Sequence, residues 1–97
     1  MNLVELTKAY TEINSQIFNL TRDIYNGNID VKEAGVFMGV IKTEMNAACT
    51  CGKIFAQVLN GEKSKSYACA EKLYAATEIA YGELEQCFAD TFGMIKD

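Results

Sequence analysis

Proline and histidine are both missing from these 97 residues. Without proline, nothing in the chain forbids long helices. Without histidine, the commonest acid–base group and metal ligand is gone, and with it the His-containing zinc sites. Also lacking are a Gly-rich phosphate loop, a nucleophile elbow and a convincing acid–base pair. The chain is therefore expected not to be an enzyme, with no catalytic residue and no cofactor assigned. Long hydrophobic runs are absent too. The longest charge-free apolar run, AGVFMGVI, has eight residues, far short of the ~20 that cross a bilayer. Basic residues are few: 9 against 13 acids, net charge −4. That balance argues against non-specific attraction to nucleic acid or anionic membrane, yet it is too mild for a mimic of DNA. The first twenty residues carry Glu5, Lys8 and Glu12 and no apolar stretch. A cytoplasmic location with four reduced cysteines is the expectation.

What is present fits one domain. An apolar fraction of 49% supports a core, and 23% charge is ordinary for a globular chain. Two Asn-Gly pairs, Asn26-Gly27 and Asn60-Gly61, punctuate the sequence thirty-four residues apart. Glycine just past a periodic segment is the common helix stop. After the first pair, Asp30 with Glu33 forms a capping box, and Asn2 with Glu5 gives the same pattern earlier. Ser64 or Ser66 would cap a third helix. The reading is all-α: three long antiparallel helices, about 3–26, 31–59 and 65–95, in an elongated bundle that pairs as a homodimer.

The first helix carries Leu3, Leu6, Tyr10, Ile13, Ile17, Leu20 and Ile24 at alternating spacings of three and four. That is a heptad stripe, which predicts coiled-coil-like packing. The second helix has two apolar rows. One is Ala34, Met38, Ile41, Met45, Ala48, Gly52, Phe55 and Leu59. The other is Phe37, Val40, Ala47, Cys51, Ile54 and Val58. So wide a face suits a central helix touching two partners. The third helix sets Tyr67, Tyr74, Tyr81, Phe88 and Ile95 in a seven-residue column, beside a row of small residues.

The cysteine pair in NAACTCG suggests a metal or redox site until the helix is considered. Residues two apart on a helix point about 200° away from each other, so Cys49 and Cys51 cannot converge on one ion. Cys69 and Cys87 lie roughly 27 Å apart along an axis. No metal site is expected; these thiols read as small packing residues.

Three features are candidates for partner binding. Glu44 falls within the apolar arc of the second helix, among Phe37, Val40, Ile41, Ala47, Ala48 and Cys51. Burying a carboxylate is costly, which marks a site, a paired structural residue or a wet subunit boundary. Gly35 and Gly39 stand one turn apart, each costing up to ~1 kcal/mol relative to alanine. Close approach of another backbone would offset that; a loosely wound turn is the alternative. Glu71, Glu78 and Glu85 run beside Tyr67, Tyr74 and Tyr81, suiting a basic protein partner or forming an ordinary solvated shoulder.

The segment IYNGNIDVKEAGVFMGVIKTEMNAACTCGKI resembles an element of small phage- and prophage-encoded helical proteins. The matching residues are Asn26, Gly27, Ile29, Asp30, Glu33, Ala34 and Asn46, and the similarity covers about a third of the chain. It implies a bacterial host cell and a regulatory accessory or inhibitor, possessing no catalytic residues to carry over. The functional expectation is a non-enzymatic binder of a bacterial host or phage protein, such as an inhibitor of a defence complex. Alternatives are a structural bundle subunit, or a small-ligand binder at a subunit interface. Direct nucleic-acid and membrane binding are not expected.

Overall fold

The computed structural model describes residues 3–59 and 65–93. They form three helices, α1 (Leu3–Tyr25), α2 (Val31–Leu59) and α3 (Lys65–Phe92). All three pack on one another in a bundle measuring 46 × 27 × 16 Å, and the α1–α3 pairing is the most extensive.

The first turn is built as its residues dictate. Gly27 takes the left-handed backbone at φ +73°. Its N–H donates to the Ile24 carbonyl at 3.2 Å, and the Asn28 N–H to the Asp23 carbonyl at 2.8 Å. Those two bonds are the Schellman closure, satisfying carbonyls that the helix end would otherwise orphan. Asp30 then caps α2: its carboxylate accepts from the Glu33 N–H at 2.8 Å, placing negative charge at the positive end of the helix dipole. Both α2 and α3 run unbroken through their internal glycines, Gly35, Gly39 and Gly52 in one and Gly82 in the other. The third helix stops earlier than the pattern to Ile95 suggests. Gly93 adopts φ +67° and its N–H donates to the Ala89 carbonyl at 2.9 Å, a single-bond left-handed cap after Phe92. The expected Asn2 cap, the Asn60-Gly61 stop, Ser64 and Ile95 lie outside the described residues.

The core follows the heptad stripe of α1. Leu6, Tyr10, Ile13, Ile17, Leu20 and Ile24 are all buried. Against them lie Ala34, Ile41, Met45 and Ala48 of α2, and Tyr81 and Leu84 of α3. Thus α1, not α2, holds the central place. Only the first of α2's two apolar rows enters the core. In the second, Phe37, Val40 and Ile54 keep 49–56% of their surface and Ala47 is exposed; Cys51 is half-buried. Three helices have three inward stripes, and α2's stripe is already filled by the first row.

A polar linkage joins α1 to α3. The Asn14 Nδ2 donates to the Tyr10 carbonyl at 2.9 Å and to Thr77 Oγ1 at 3.0 Å, while Thr77 Oγ1 donates to the Leu73 carbonyl at 2.9 Å. Thr77 is fully buried, and its hydroxyl is satisfied both ways. An interhelical bond at a fixed level sets the register of α1 against α3.

Candidate functional site: the outer face of α2

Glu44 is exposed, not buried as its apolar neighbours imply. The reason is that the neighbours on its own row are themselves uncovered, so the carboxylate reaches water. It borders three depressions on the molecular surface. One, of about 350 Å³, is walled by Gln16, Leu20 and Asp23 of α1 and by Phe37, Val40 and Glu44 of α2. A second, of about 240 Å³, continues along the same two helices past Glu12 and Ala47 to Cys51. The two meet at Gln16 and Glu44 and make one groove between α1 and α2. Among the described residues, none of α3 lines it. The third depression lies on α2 itself, among Val36, Gly39, Val40, Thr43 and Glu44.

That third hollow is made by the missing side chain of Gly39. A Cβ built on Gly35 or Gly39 would meet nothing within 4 Å. The close backbone approach expected from these glycines is therefore absent in the single chain; both face outward beside Val36 and Val40. Thr43 donates its hydroxyl to the Gly39 carbonyl at 3.0 Å, and α2 stays helical through the hollow.

The tyrosine column is turned the other way. Tyr81 is buried, its Oη–H donating to the Met38 carbonyl at 3.1 Å, with the Lys42 ammonium 5.1 Å from its ring centre. Tyr74 is half-buried, its ring edge-on to Tyr10 at 6.5 Å between centres. The Tyr81 ring packs within the bundle, and the Tyr74 ring is partly covered by it. Glu71, Glu78 and Glu85 are exposed beside them as a solvated shoulder. Burial raises the hydroxyl pKa of Tyr74 and of Tyr81, and the adjacent Glu78 and Glu85 carboxylates push in the same direction. The Tyr67 side chain lies outside the described residues. Tyr10 is the most perturbed group: burial first, then Cys49, Tyr74 and Cys51 around it, push its pKa up to about 12.

Cys49 and Cys51 are both half-buried free thiols, and Cys51 lines the groove. Among the described residues no three potential metal ligands gather. Nor is any helix among them long and apolar enough to cross a membrane.

No protein-family model, curated protein or solved structure matches this chain. What the site can do is therefore argued from its geometry.

The groove has an apolar floor and a polar rim. Sequence reasoning found its α2 wall, since Glu44 and Gly39 stood out by residue type. It missed the α1 wall of Glu12, Gln16, Asn19 and Asp23, which reads as an ordinary solvated helix face until α2 is laid beside it.

Proposed function

We propose that this chain is a non-enzymatic protein-binding accessory that works through the outer face of α2 and the groove it forms with α1. The observation carrying this reading is the uncovered second row of α2: Phe37, Val40 and Ile54 retain 49–56% of their surface, with Val36 at 63% beside them. Scattered exposed apolar residues need no explanation, but a contiguous apolar strip rimmed by polar groups marks an interaction surface. The hollow at Gly39 adds shape to it, and shape complementarity is what an interface core requires. The chain's resemblance to phage-encoded helical accessories, over about residues 24–54, favours a bacterial host or phage protein as the target and an inhibitory role in a cytoplasmic setting.

A test uses wild type and Val40→Asp, a change at a half-exposed position that leaves the core intact. Purified wild-type chain should retain one stoichiometric protein from a bacterial host, and Val40→Asp should lose it with unchanged helicity by circular dichroism. Retention by both proteins would remove α2's outer face from the function.

A further inference from the structure

The groove has a charge as well as a shape. Its α1 wall supplies Glu12 and Asp23, its α2 wall supplies Glu44, and among the described residues no lysine or arginine lines any of the three depressions. Three carboxylates therefore line the groove, Glu12 and Asp23 along its α1 wall and Glu44 midway along its α2 wall, in a chain whose net charge is −4. Arg22 lies 3.7 Å from Asp23 and offsets that end. Among the described residues, Glu12 and Glu44 have no ion-pair partner. Carboxylates placed around an apolar floor favour cations at the periphery of whatever is seated there.

The dimensions select a helix. Phe37 to Cys51 is fourteen residues along α2, about 21 Å, which matches four turns of a helix laid lengthwise. Aliphatic side chains at every third or fourth position of such a helix would reach the strip of Phe37, Val40, Ala47 and Cys51. Its α1-side flank would then pass Glu12 and Asp23, and it would meet Glu44 midway along the α2 wall, between Val40 and Ala47.

Charge also argues against a second copy as the occupant. A two-fold contact uses the same patch on both subunits. It would bring Glu12, Asp23 and Glu44 of each chain together with no base lining the contact, and like charges at an interface are costly. Resting on the reading that this face docks a protein, we infer that its occupant is an amphipathic helix of a different protein, with an apolar stripe flanked by lysine or arginine.

The experiment is a selection from displayed helices of about 18 residues, slightly longer than the groove. Each has a fixed leucine/alanine stripe at helical spacing, and every flank position is encoded as lysine or glutamate. The full chain is the bait, with Val40→Asp and Glu44→Lys as comparison baits of verified helicity. Lysine flanks should be enriched about tenfold over glutamate flanks, a difference one or two ion pairs at a partly desolvated rim can supply. Val40→Asp should abolish the enrichment, Glu44→Lys should reverse the preference at the flank beside it, and added salt should weaken binding of the selected helices. Enrichment of glutamate flanks, or indifference to charge, overturns the cationic occupant; loss of that binding on Val40→Asp would leave the docking face itself standing. No enrichment of any helix overturns both. Sedimentation supplies the remaining outcome: a wild-type dimer that Val40→Asp converts to monomer would show that a second copy covers the face, and the inference falls.

Discussion

Tyr10 shows how much of this molecule's chemistry is a matter of single positions. It sits within the stripe of α1, fully buried, with Cys49, Cys51 and Tyr74 around it, and its pKa rises from the ordinary 10.0 to about 12. The raised value means that the folded state holds its proton where the unfolded chain has begun to lose it. Its contribution is complete below pH 10 and is lost as pH rises from there through 12. Denaturant midpoints should therefore fall across that window, and Tyr10→Phe, which has no proton to lose, should flatten the fall. Gly39 makes the opposite kind of prediction. An added Cβ meets nothing within 4 Å, so Gly39→Ala should stabilise the free chain by about 0.5–1 kcal/mol in urea unfolding through helix propensity alone. The same change fills the hollow on α2's outer face and should weaken partner binding. Stability that rises while binding falls is what a groove contour held for recognition requires.

Elements in this fold begin and end where short-range chemistry tells them to. The Asp30 cap is one hydrogen bond of 2.8 Å to the Glu33 N–H; Asp30→Ala should cost about 1 kcal/mol in thermal or urea unfolding, and Asp30→Asn much less, since the amide oxygen still accepts. These devices were legible in the sequence because capping depends on residues within one turn of each other. The heptad stripe of α1 was legible for the same reason: periodicity alone selects the face that turns inward. Gly93 was overlooked as a stop because the apolar column continues in register to Ile95, and local backbone cost outweighed that pattern. Asn14 and Thr77 were also not legible as a pair. Sixty-three residues separate them, and neither is unusual on an amphipathic helix until the two stripes meet.

At the scale of the whole molecule, α1 carries the core and the other two helices lean on it. Domains of this size are marginal, at about 5–15 kcal/mol. Met45 is fully buried, and Met45→Ala should cost about 2–5 kcal/mol through lost burial and the cavity left behind. Unfolding should stay cooperative in all three helices, as coincident circular dichroism and tyrosine fluorescence transitions would show. Val40, one turn away on the same helix but on the uncovered row, should give a fold-neutral response to substitution. That contrast between two apolar residues of α2 separates what the bundle needs from what the proposed docking would need.

Sequence by itself determined that the chain is helical, where α1 ends and α2 begins, and which face of α1 is buried. Each of these follows from interactions within a turn or two. Only the tertiary structure decided which of α2's two apolar rows would be covered, that Tyr81 faces the core, and that Glu44 stands in water at the edge of a groove. A helix carries its stripes wherever it goes, but covering a stripe requires another helix at the right distance. That distance is set by side chains far apart in the chain, whose packing has to be solved together.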